Sequence, residues 1–118
     1  MKIETINNVR IDAIYACLPD TVLDNEIACK EMYGENIGTL IKSVGIRKRC
    51  VVSQGISSLD LCCFAAKRLL DDMTIPLGDV GAVIAVTFTP DQLMPCNAVG
   101  AQSLLGLPTN TIAFDINL

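Results

Sequence analysis

The sequence predicts an α/β fold in which flanking helices cover a mixed, mainly parallel sheet, and three observations carry that prediction. Residues 80–87 are apolar, rich in β-branched side chains and without alternation, which suits a strand covered on both faces. Residues 111–116 form a second strand after a stretch with helical spacing, so strand, helix and strand read as a right-handed βαβ unit. Upstream, Leu59, Cys62, Cys63, Ala66, Leu69, Leu70 and Met73 make one continuous apolar stripe, the mark of a helix laid on a sheet.

Taken in order, Val9, Ile11, Ala13, Tyr15 and Cys17 alternate with Arg10, Asp12, Ile14 and Ala16, the period of a strand ended by Pro19. Asp24 or Asn25 then caps a short helix running to Met32, with Gly34 as its left-handed stop. Ile37, Leu40, Ile41 and Val44 recur at helical spacing until Gly45. The helix from Ser58 to about Met73 has Ser57 as N-cap, Asp60 three residues on and Pro76 beyond its end. Asn97 caps the helix of Val99, Ala101, Leu104 and Leu105, which Gly106 and Pro108 terminate. No repeat, low-complexity tract or linker interrupts residues 1–118, which read as one unit.

Composition bounds the function. Hydrophobic residues make up 51% of the 118 and aromatics only 4%, so aliphatic side chains build the core. A mean hydropathy of +0.45 leaves apolar surface in search of a partner, as in half of something larger. The longest apolar stretch, residues 81–88, falls short of the ~20 residues of a membrane span. Met1-Lys2-Ile3-Glu4-Thr5 lacks a secretory apolar run, so a cytoplasmic protein is expected. The six cysteines, at 17, 29, 50, 62, 63 and 96, include no Cys-x-x-Cys pair, and there is no histidine. They are read as small buried hydrophobes in a reduced compartment, with no metal site. A net charge of −4 argues against nucleic acid as partner. Locally, Lys42, Arg47, Lys48 and Arg49 lie in a stretch free of acidic residues between Asn36 and Leu59. Such a cluster is either a solvated turn or a patch suited to phosphates or an acidic carrier protein.

Ordered landmarks then accumulate: Ala16-Cys17-Leu18-Pro19, Gly45-Ile46-Arg47-Lys48-Arg49, the helix from Ser58, Val86-Thr87-Phe88-Thr89-Pro90-Asp91, Met94-Pro95, Gln102 with Leu105-Gly106, and Phe114-Asp115-Ile116-Asn117. In this order and at these spacings the chain resembles the β-ketoacyl-acyl carrier protein synthase III family of the thiolase superfamily, in its N-terminal segment only. The resemblance implies the N-terminal half of a thiolase-like fold, incomplete as given. It also implies a condensing acyltransferase of fatty acid or polyketide synthesis. In such enzymes an acyl group passes to a cysteine at a helix N-terminus, where dipole and amides favour the thiolate, and decarboxylative Claisen condensation follows.

The resemblance puts that nucleophile two residues past Leu118, so no catalytic residue is assigned within the chain, and the chain alone is expected to be inactive. No bound cofactor is expected; the substrates would be acyl-CoA or acyl carrier protein thioesters. Met94 and Pro95 correspond to an acyl-pocket and dimer-interface element, and Lys42, Arg47, Lys48 and Arg49 to a carrier or phosphate patch. The partners implied are acyl carrier protein and either a second copy or a complementing C-terminal half, with no nucleic acid or membrane. Thr39 and Ser43 stand where coenzyme A-using relatives often carry a tryptophan and an arginine around the adenine, which favours a carrier-bound donor. Asp115, on a buried strand, is expected to accept backbone hydrogen bonds rather than act in catalysis. Two other readings stay open: a non-catalytic partner subunit of a ketosynthase heterodimer, and an α/β domain reused for binding.

Overall fold

A computed structural model describes residues 7–117. Its order is β1 (Thr21–Asp24), α1 (Asn25–Ala28), α2 (Lys30–Tyr33), a 3₁₀ turn (Gly34–Asn36), α3 (Ile37–Val44), β2 (Lys48–Val51), α4 (Ser58–Asp72), a 3₁₀ turn (Leu77–Asp79), β3 (Ala82–Val86), α5 (Asn97–Leu104) and β4 (Ile112–Ile116). β3 and β4 pair in parallel, with Ala82 opposite Ile112, Ile84 opposite Phe114 and Val86 opposite Ile116. α5 is the crossover between them, so the expected βαβ unit is present. A second, antiparallel pair joins β1 to β2, with Asp24 opposite Lys48.

The local signals explain most of these elements. Ser57 Oγ accepts from the Asp60 amide at 3.1 Å while Asp60 returns the contact to the Ser57 amide at 2.9 Å, closing a capping box at the start of α4. Gly45 ends α3 at φ +79°, a conformation that a Cβ would strain. Asp24 caps α1, but the helix expected to run to Met32 breaks at Cys29 into two four-residue turns.

The core lies where α5 meets the parallel pair. Ala98 and Ala101 are buried, and the half-buried strand residues facing inward include Val83, Ala85 and Ala113. Small side chains on both sides let the helix approach the sheet closely. α4 packs on α5 at Gly100, where an added Cβ would sit 2.8 Å from Leu59 Cδ2.

Four expectations are corrected. The alternating segment 9–17 belongs to no ladder among the described residues: the two sheets are the pairs β1–β2 and β3–β4, and it joins neither. Its period survives as burial over 13–17 only: Ala13, Tyr15 and Cys17 are half-buried and Ile14 and Ala16 exposed, while Val9 and Ile11, expected on the same inner face, are exposed; the Tyr15 hydroxyl donates to Asp72 on α4 at 3.1 Å. Second, β3 and β4 are covered on one face only. Ile84, Val86, Ile112, Phe114 and Ile116 line the other and are exposed, because α4 and α5 account for the covered side. Third, no cysteine is fully buried; Cys50 and Cys62 are exposed and the other four half-buried, since the layers that would enclose them are not formed by these residues. Fourth, Asn97 is the first residue of α5 and not its cap.

The same openness appears globally. The radius of gyration is 18.6 Å, against about 13.5 Å for a compact domain of this length.

Candidate functional site

Open α/β sheets present ligands at the carboxyl ends of their strands, and here the segment between β3 and α5 leaves the carboxyl end of β3. That segment, residues 87–96, carries Met94 and Pro95, linked by a cis peptide bond. Among the described residues Met94 is 87% exposed, and Leu93 beside it is about as open.

Beneath this exposed tip lies a hydrogen-bonded brace. Ser58 Oγ, at the start of α4, donates to Asp91 Oδ1 at 2.9 Å and lies 3.0 Å from the Thr89 carbonyl. The Leu59 amide reaches the same Asp91 oxygen at 3.5 Å. The Asp91 amide donates to Asn97 Oδ1 at 3.2 Å, and Asn97 Nδ2 approaches Ser58 Oγ at 3.5 Å. Hydrogen bonds from Ser57 foremost, then Ser58 and the Leu59 amide, hold the Asp91 carboxyl below its ordinary pKa.

The cap that Asn97 does not provide comes from β4. Asp115 Oδ2 accepts from the Asn97 amide at 2.9 Å and Oδ1 from the Ala98 amide at 2.7 Å, satisfying the first donors of α5. Desolvation by itself would raise this carboxyl; the Ala98 and Asn97 amides and the Cys96 thiol outweigh it, and its pKa lies below the usual value. Asp115 thus accepts backbone hydrogen bonds, as the sequence reading expects.

The basic residues fall on the other lobe, on α3, β2 and the turn between them. Arg47 is shared with carboxylates: it lies 3.3 Å from Asp24 and 3.3 Å from Glu26. The Glu26 amide, and then Arg47, hold Asp24 below its ordinary pKa despite partial burial. Arg49 donates to Asn25 Oδ1 and sits 3.6 Å from Cys29 Sγ. Arg47 therefore fastens the turn before β2 to β1 and α1, and Arg49 fastens β2 to α1 and to Cys29 beyond its end, while Lys42 and Lys48 are exposed. Next to this cluster, Thr39 and Ser43 share one side of α3 and line an open groove of about 350 Å³ together with Tyr33, Asn36 and Leu40. Tyr33 puts an aromatic ring beside Thr39 and Ser43. No local sequence signal identifies it, because the intervening 3₁₀ turn brings it there.

A second hollow, of about 240 Å³, lies between α4, α5 and β3 and is lined by Leu59, Cys62, Ala66, Val83 and Ala101 among others. Burial raises the pKa of Cys63 on the same helix, keeping it a thiol. Among the described residues no group of His, Cys, Asp and Glu has a metal-holding arrangement, and no helix is long and apolar enough to cross a membrane.

A parallel βαβ unit with a second helix layered on the crossover is a frame this chain shares with solved thiolase-like synthases. A solved 3-oxoacyl-(acyl-carrier protein) synthase from Burkholderia xenovorans LB400 superposes on 87% of the chain, and on 30% of its own, with a TM-score of 0.79 and 29% identity. No protein-family model matches the chain. Among curated proteins, the β-ketoacyl-[acyl-carrier-protein] synthase III of Koribacter versatilis is 30% identical over 96% of this chain and 33% of the relative. That of Ehrlichia ruminantium is 34% identical over 91% and 33%. The chain belongs to the β-ketoacyl-[acyl-carrier-protein] synthase III family and spans about a third of the length of the curated relatives it matches.

Proposed function

We propose that these residues are the N-terminal part of a synthase III-type condensing acyltransferase, and that they supply scaffold, dimer strand and part of the acyl and carrier entry site. The observation that carries this reading is coverage: synthase III relatives align with nearly the whole chain while extending through three times its length. The exposed face of β3 and β4 supports it, since a sheet with five large apolar side chains on its open side requires a further layer. In this reading that layer brings the cysteine that takes the acyl group. The chain itself, with no histidine and no cysteine at the matching position, does not condense alone.

Within the chain, Met94 serves as the floor of an acyl pocket, a role suited to a flexible, polarizable side chain projecting from its own subunit. Lys42 and Lys48, with Arg47 and Arg49 behind them, form the docking patch for an acidic acyl carrier protein. Thr39 and Ser43 lack the stacking and cationic groups of a coenzyme A clamp, which supports a carrier-bound donor.

The test is turnover. The intact native protein should consume an acyl thioester with malonyl carrier protein, and the 118 residues alone should not. Turnover by the 118 residues alone would refute the reading. An intact protein that binds carrier without condensing would instead identify the non-catalytic partner subunit.

A further inference from the structure

We infer that Asp91 is a positioning residue for acyl-chain length, acting through Met94; the inference rests on the pocket-floor reading of Met94. The floor of a pocket discriminates chain length only if it stays at a fixed depth, and nothing within the described chain packs on Met94 to hold it there. Within its own chain, position is therefore imposed through the backbone. Three residues before Met94, Asp91 ties the segment at two points that are not part of it: its carboxylate to Ser58 and Leu59 at the N-terminus of α4, and its amide to Asn97 in the first turn of α5. Asn97 is 5% exposed and its own amide is held by Asp115, so the brace ends on the core of the βαβ unit. Met94 lies midway between the two anchors, with two residues separating it from Asp91 and two from Asn97. A span this short has little freedom once both ends are fixed, and much more once one is released.

The effect is on selectivity. A fixed apolar floor separates chains by a methylene at about 10-fold or more, and a loosened one accommodates the longer chain at lower cost. The experiment compares Met94→Phe, Asp91→Ala and Asp91→Asn in the intact native protein, purified with whatever subunit accompanies it. Its readout is the ratio of kcat/KM for the preferred acyl chain to that for the chain two carbons longer. The ratio is independent of how much of each preparation is folded. Asp91→Ala should lower it by roughly 3- to 10-fold, while Asp91→Asn, which keeps an oxygen to accept from Ser58 and Leu59, should stay within twofold of the parent. Met94→Phe should move the preferred chain to a shorter one. A shift with Met94→Phe and none with Asp91→Ala overturns the positioning role and leaves the floor intact. Equal loss of selectivity in Asp91→Ala and Asp91→Asn also overturns it, because the acceptor oxygen then does not matter. No shift with Met94→Phe removes the floor and the inference together.

Discussion

At the scale of single residues, two carboxylates of the βαβ unit, Asp91 and Asp115, bind amides and a hydroxyl. Asp115 caps α5 from a strand 17 and 18 residues away in sequence, and Asp91 caps α4 from the segment after β3. Both have folded-state pKa values below the unfolded carboxylate value of about 4. The sign follows: their stabilisation is fully present above that value and is lost as pH falls through the depressed folded pKa. Asp115→Ala should therefore lower the melting temperature clearly at pH 7. Repeating the melts at successively lower pH should show the gap to the parent narrowing below about pH 4. A gap that is constant with pH would mean that Asp115 contributes packing and not charge. This cap was not legible in the sequence. Asn97 has the right side chain one residue inside the helix start, and only the tertiary pairing of β3 with β4 brings a better acceptor to the same amides.

At the scale of elements, local signals specify those that need no distant partner. α4 announces itself through Ser57, Asp60 and its stripe, α3 through Gly45, and β3 and β4 through β-branched runs. Ser57→Ala should cost about 1 kcal/mol, seen as a lower urea midpoint with unchanged slope, since it removes one half of a capping box whose donors then face partly buried space. An unchanged midpoint would show that Asp60 and water satisfy those amides without it. Elements that need a distant partner were the ones missed or misread. β1 and β2 have four residues each and exist because Asp24 through Thr21 meet Lys48 through Val51 across two helical turns and α3. Residues 9–17 have the alternation of a strand, yet alternation specifies only which side faces inward; a ladder needs a neighbouring edge as well. For the candidate site, Met94, Pro95 and the cations were legible as motif residues. The division of labour between fastening arginines and exposed lysines was not, because it depends on where Asp24, Glu26 and Asn25 stand in space. Under the carrier-docking proposal, Lys42→Glu with Lys48→Glu should weaken carrier binding and flatten its salt dependence. Titration at two ionic strengths measures both, and no change in either would return the patch to plain solvated surface.

At the scale of the whole molecule, the chain is a βαβ unit and an antiparallel lobe that leave more apolar surface open than they close. The exposed strand face is one such surface: Ile84 stands opposite Phe114 and Val86 opposite Ile116, so four large side chains form two cross-strand pairs on one side of the sheet. Side chains on the two faces of a strand alternate, so a substitution here leaves the α5 side undisturbed. That separation makes assembly testable apart from folding. If a further layer of the same protein or of its partner subunit closes this face, Ile84→Asp combined with Phe114→Asp should abolish the assembly while α5 keeps its protection from hydrogen exchange. Two unpaired carboxylates cannot be buried against an apolar layer without a cost of several kcal/mol. Size-exclusion chromatography of the intact native protein reads the assembly, and amide exchange at Ala98 and Ala101 reads the fold. Retained assembly with both aspartates in place would mean that water, and not a packed layer, lies against this face. The condensing-enzyme reading would then lose its structural support, because it requires the reacting cysteine to arrive on that layer.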